Sequence, residues 1–178
     1  MAQKRRTVIG TLTITSKGFG FVQVDDGPDV FVAYENLHTS IDGDMVEAEV
    51  FPSSRPAKPA GRVLRVRERA DRNIVGVFRR TDKGGKVYPE DDRLPSSLLI
   101  PAKSLRENDL DDTIHSGHVV VARLVDWSDP NRKPTGAILR IVGEQDEPGM
   151  DVKMVALTKG LPLEFPQEVL DEVEKIPE

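Results

Sequence analysis

Lys17-Gly18-Phe19-Gly20-Phe21-Val22 sets two phenylalanines two residues apart behind a lysine, and Val30-Phe31-Val32 follows after a turn. Alternate side chains of a strand share a face, so on adjacent strands Phe19, Phe21 and Phe31 can form one aromatic surface. Such a surface stacks on planar π-systems, and a nucleobase gains about 1–3 kcal/mol on it whatever its identity. Lys17 is placed to meet a phosphate, and Gly18 and Gly20 leave room for a base to lie flat. The competing reading is ordinary core, which the glycine between two strand aromatics disfavours. Further cations follow in Arg62, Arg65, Arg67 and Arg69, read as a basic stripe on one strand, and in the Arg55/Lys58 loop before it. A plain solvated strand face explains that stripe equally well. Lys83-Gly84-Gly85-Lys86-Val87-Tyr88 repeats the spacing with a single aromatic, so Lys86 and Tyr88 join the candidate binding residues.

Other groups are less suited to chemistry. Asp109, Asp111 and Asp112 stand beside Glu107 and Asn108 in a polar insertion and read as a solvated loop, as do Glu90-Asp91-Asp92. His115 and His118 are three apart, a spacing that suits a metal on a helix. Ser116-Gly117 intervenes and a strand follows, so no metal ligation is expected. His38 lies in a loop. Trp127 opens a loop holding Arg132 and Lys133; an indole capping the edge of a core is favoured there over contact with nucleic acid.

The elements that must position these residues are strands. Val8–Thr15, Phe19–Val24, Val30–Val32, Met45–Phe51 and Gly61–Arg67 are β-branched or alternating, with turn clusters such as Asp25-Asp26-Gly27-Pro28-Asp29 between them. The pattern then recurs. Gly117 to Leu124 echoes Gly43 to Val50 at an offset of 74, and Gly136 to Ile141 echoes Gly61 to Val66 at 75. A near-constant offset argues for a duplicated unit. Five short strands per copy suit a small closed barrel, with insertions around Arg93–Ser97 and Arg106–Thr113. The expected architecture is all-β: two five-stranded barrels, over residues 1–70 and 71–148, then a partly helical tail over 149–178. Short helices are expected at Asp151–Leu157 and, behind Pro166, through Val173.

Composition bounds the function. The chain has 178 residues, 38% hydrophobic and 31% charged, with net charge −5. Residues 149–178 hold 3 basic and 7 acidic side chains, so the acidic surplus sits in the tail and any anion-binding face must be a local patch. There is no cysteine, which excludes disulfides and thiolate metal sites. No apolar run of about 18 residues is present to span a membrane, and the basic start lacks an apolar signal core. A cytoplasmic location is expected, with no small-molecule substrate.

Lys17–Val22 resembles the first ribonucleoprotein motif of cold-shock domains, and Val30–Val32 resembles the second. Tyr34 falls where those domains often carry another aromatic, and Ala33 stands where a histidine is usual. The tandem order of two such OB-type barrels, with Leu98-Leu99-Ile100-Pro101 and Gly136–Gly143 in the second, is similar to the cold-shock region of the ribonuclease II/ribonuclease R family of 3′-to-5′ exoribonucleases. The stretch from Gly149 through Phe165-Pro166 is similar to that family's lead-in to its catalytic domain. The resemblance implies single-stranded RNA as partner, DNA being possible, with Lys17, Phe19, Phe21, Phe31, Tyr34, Arg62, Arg65, Arg67, Lys86 and Tyr88 in contact. It implies hydrolysis by Mg²⁺ on an aspartate cluster outside this sequence, so that this chain alone binds without catalysing. A stand-alone cold-shock RNA chaperone and an OB module that docks a protein are the alternatives.

Overall fold

Strand β1 (Arg6–Ile14) turns Gly10, Leu12 and Ile14 inward and leaves Ile9 and Thr13 in solvent, the alternation of a half-buried strand. The computed structural model describes residues 6–52 and 58–161, and within them such strands close into two barrels. In the first, β1, β2 (Gly20–Gln23) and β3 (Val30–Val32) form an antiparallel meander. β3 then runs parallel to β5 (Ala60–Glu68), and β4 (Met45–Val50) closes the circle between β5 and β1. The second barrel repeats this order with β6 (Ile74–Thr81), β7 (Gly84–Pro89), β8 (Leu98–Pro101), β9 (His118–Asp126) and β10 (Thr135–Glu144). Both are five-stranded barrels of OB type, as the repeat predicts.

Two helices complete the fold. α1 (Ala102–Glu107) enters the expected polar insertion and buries Leu105 in the second core. Periodicity missed it because six residues with one buried anchor carry no 3.6-residue period. α2 (Met150–Thr158) covers the expected short helix. Its Met150 and Met154 pack on Val75, Val119 and Val121 at the outer wall of barrel 2. Val119, Val120, Val121 and Ala122 are therefore all buried, as a strand covered on both faces must be. The second expected helix, Pro166–Val173, lies outside the described residues.

A polar and apolar brace joins the barrels. Ile41, from the loop before β4, is buried in the core of barrel 2 with Ile74, Phe78 and Leu98. Beside it Arg72 of the linker donates to Asp42 at 2.9 Å and to Asp91 at 3.0 Å. Arg93 donates to the same two carboxylates, at 3.2 and 2.7 Å. Asp91 is thus no solvated loop residue, contrary to the sequence expectation: its side chain is 9% exposed. The hydrogen bond from Arg93 holds its carboxyl below the usual carboxylate value of 3.8. A carboxyl lowered in the fold stabilises above pH 3.8, and that stabilisation is lost as the pH falls through the folded value. Asp91→Asn should therefore lower the unfolding free energy at pH 7 by about 1–3 kcal/mol. In urea denaturation the gap from wild type should narrow as the pH falls below 3.8, and a gap unchanged in acid would place its cause outside the carboxylate.

Candidate nucleic-acid interface

The register of β2 and β3 decides what faces water. Phe21 opposes Phe31, Gly20 opposes Val32 and Val22 opposes Val30. Val22, Val30 and Val32 enter the core with Leu12 and Val46, so the pleat turns Phe21 and Phe31 outward. Phe19, from the hairpin tip, completes the group. The ring centroids are 5.8 Å apart for Phe19–Phe21, 5.5 Å for Phe19–Phe31 and 5.8 Å for Phe21–Phe31. Phe31 is 37% exposed. None of the three belongs to the barrel core, so the structure sets aside the reading of these rings as core.

The glycines serve differently from the sequence expectation. Gly20 faces inward, where a Cβ would stand 2.9 Å from Leu12 Cδ1 and 3.2 Å from Leu37 Cδ2. It lets β1 and the turn after β3 close over the core and leaves no room for a base. Gly18 has φ +87° at the hairpin tip, a conformation that a side chain strains, and donates its N–H to the Thr15 carbonyl at 2.9 Å. A Cβ there would sit 3.4 Å from the Tyr34 ring, so Tyr34 borders the tip.

Around the rings the cations differ in kind. Lys17 is exposed at the tip, and Lys58 lies with Pro28, Asp29 and Pro59 in a hollow floored by Phe21 and Phe31. Neither carries an ion pair among the described residues. The arginines of β5 are engaged. Leu64 and Arg67 each lack a Cα partner on β4, which marks two bulges and brings Arg62 and Arg65 onto one face. Arg62 binds Glu49 at 2.8 Å, and Arg65 binds Glu47 at 2.9 Å. Arg67 also reaches Glu47. The hydrogen bond from Arg65, reinforced by Arg67, holds the Glu47 carboxyl below its ordinary value. Arg69 turns to the Asp44 carboxylate at 2.7 Å and the Thr39 carbonyl at 2.8 Å. The free basic stripe is thus a row of ion pairs. Arg55 lies outside the described residues.

In barrel 2, Lys86 opposes Leu99 and Val87 opposes Leu98. Lys86 therefore occupies the place of Phe21, and Leu99 that of Phe31, so no aromatic group forms there. Tyr88, 45% exposed, instead lines a cleft between the barrels with Gly18, Tyr34 and Trp127. Tyr34 is 76% exposed. Trp127 packs on the second core and donates its Nε1–H to the Arg132 carbonyl at 3.1 Å, the core-edge role. The structure thus joins the tip of the phenylalanine group to Tyr34, and Tyr34 to Tyr88 across the junction. The cleft itself was invisible in the sequence, because Tyr34 and Tyr88 lie on different barrels.

Asp111 is paired with Arg80, so the Asp109–Asp112 loop is not simply solvated. It does not offer the free carboxylate cluster that Mg²⁺ takes.

Comparison with known proteins places the chain. The family described as "Ribonuclease B OB domain" matches residues 10–66, and "Cold shock domain" matches residues 87–166. Ribonuclease R of Thermotoga maritima is 29% identical over 172 residues, 95% of this chain and 23% of that protein. Ribonuclease R of Escherichia coli is 30% identical over 176 residues, 96% of this chain and 21% of that protein. The chain thus spans under a quarter of the length of these two relatives. Mycoplasma genitalium RNase R, solved in complex with ribose-methylated single-stranded RNA, superposes with a TM-score of 0.74 at 21% identity, over 96% of this chain and 27% of that one.

The division between face and core has a measurable consequence. Leu12→Ala should cost about 2–5 kcal/mol in urea denaturation, as a fully buried truncation does. Phe31→Ala should cost about 0.5–1.5 kcal/mol, the ring contacts alone. Equal losses would return Phe31 to the core. By matched families, relatives and fold, the chain belongs to the tandem cold-shock, OB-barrel region of the ribonuclease R family.

Proposed function

We propose that this chain binds single-stranded RNA on the Phe19/Phe21/Phe31 face and leads it past Tyr34 to Tyr88 in the cleft between the barrels. The observation that carries the reading is three phenylalanines turned out of a core that has its own valines and leucines. The rings pack on one another outside the core and keep part of their surface in water, which stacked bases would cover. Lys17 and Lys58 flank the face for phosphates, and Lys86 stands on the same outward side of β7 as Tyr88. Arg62, Arg65 and Arg67 would contribute only by exchanging a glutamate for a phosphate.

The parent protein would then be a 3′-to-5′ exoribonuclease of the ribonuclease R kind, acting in the cytoplasm, with these barrels feeding the strand to its catalytic domain. Hydrolysis would use Mg²⁺ held there. No helix among the described residues of this chain is long and apolar enough to cross a membrane.

Binding of a labelled single-stranded RNA of about 12–16 nucleotides tests the proposal. Wild type should bind, and Phe19→Ala/Phe31→Ala, shown folded by circular dichroism, should bind about tenfold or more weakly. A slope of log affinity against log salt of about −1 to −3 is expected, since only a few lysines are free to meet phosphates. A DNA of the same sequence decides whether the sugar matters. A folded double mutant that binds as wild type would remove the aromatic face from the function.

A further inference from the structure

We propose that His115, His118 and Glu144 form a site for a borderline transition-metal ion, zinc first, at the end of barrel 2 from which the chain leaves toward α2. His118 opens β9 and Glu144 closes β10 as its register partner, while His115 comes from the turn just before. The two imidazoles stack with centroids 3.8 Å apart and planes 33° apart. Both aim Nε2 at one oxygen: His115 Nε2 lies 3.1 Å and His118 Nε2 3.0 Å from Glu144 Oε1. Ligands that share a zinc ion at about 2.0–2.2 Å stand about 3–3.5 Å from one another. The nitrogen–oxygen distances are therefore already those of a coordination polyhedron's edges. Two imidazoles and one carboxylate, with no thiolate, suit zinc, nickel or copper and not magnesium or calcium.

The second contacts of the rings say how loading proceeds. His115 Nδ1 lies 3.3 Å from the Ser116 carbonyl, a partner that accepts and so calls for a proton on Nδ1. That is the usual second contact of a metal-bound histidine, and it leaves the Nε2 lone pair for the ion. His118 is set the other way, because its Nδ1 accepts the His115 backbone N–H at 3.2 Å. Its Nε2 therefore carries the proton of the neutral ring, and a metal at Nε2 requires that proton to move to Nδ1 and the 3.2 Å contact to open. Nearby charge is mixed. Arg79 donates to Gln145 at 3.0 Å and opposes a cation, and Glu147 is committed to Lys153. Glu144 and His115 are half exposed, 52% and 59%, whereas His118 is 11% exposed, so an ion can enter from solvent and complete its shell with water. Bound there, it would tie the turn before β9 to the last residue of β10, beside the Gln145 N–H that donates to the Gly117 carbonyl at 2.8 Å.

Composition makes the test clean, since the chain has three histidines and no cysteine. Tag-free protein is titrated with ZnCl₂ by calorimetry, and its thermal unfolding is followed with and without the ion. One ion should bind per chain, and Tm should rise. His115→Ala and His118→Ala should each weaken binding about tenfold or more, and His38→Ala should leave it unchanged. His115 is exposed, so its variant folds and decides the matter even if His118→Ala does not. Absence of saturable binding, or binding unchanged in His115→Ala, would overturn the site and assign any uptake to surface carboxylates. RNA binding on the phenylalanine face is independent of either outcome.

Discussion

Asp44 is fully buried and accepts from three donors: the Ala70 and Ile41 N–H groups at 2.8 Å each, and Arg69 at 2.7 Å. Burial pushes its carboxyl up, and the two N–H groups and the guanidinium pull it back. The arrangement ties the loop before β4 to the linker after β5, and so fixes the direction in which the chain leaves barrel 1. A buried ion pair contributes little net stability; its use here is to specify one geometry. Ile41, held by that carboxylate, is then delivered into the core of barrel 2. With the joint in this setting, Tyr34 and Tyr88 line one cleft.

Small barrels have few core positions, and the two copies fill them differently. Barrel 1 seals itself with Leu12, Ile14 and valines, which frees its phenylalanines for the outside. Barrel 2 puts Phe78 at the position of Leu12, opposite Val87 as Leu12 is opposite Val22, and keeps Lys86 and Leu99 on the surface positions. One scaffold thus carries two surfaces, an aromatic one and a mixed one. The difference costs the fold little, because outward residues of a strand add little to the core.

This explains what the sequence could show. Period-two alternation and turn clusters reveal strands, so both barrels and the outward set of Phe19, Phe21 and Phe31 were legible from order alone. The roles of Gly18 and Gly20 were not, since a glycine does not announce whether it serves a turn, a close approach or a guest. Nor was the pairing of Arg62, Arg65 and Arg67, because the bulges at Leu64 and Arg67 break the parity from which a shared face is read. The run Val119–Ala122 did carry a signal: four consecutive apolar residues in a strand mean cover on both sides, here by α2. Asp91 and the His115/His118/Glu144 group depend on contacts between distant segments, which no local pattern encodes.

Charge and stacking divide the work unequally in such a protein. A net charge of −5 and arginines spent on Glu47 and Glu49 leave little positive field to draw in a polyanion from a distance. If RNA lies on the phenylalanine face as proposed, its affinity comes from short-range contact, which stacking supplies without regard to sequence. A binder of that kind holds any unstructured strand and releases its grip base by base, since no single contact dominates. On the proposed function that behaviour would suit a strand that moves through the site, with the cations paired internally and the rings held outside the core.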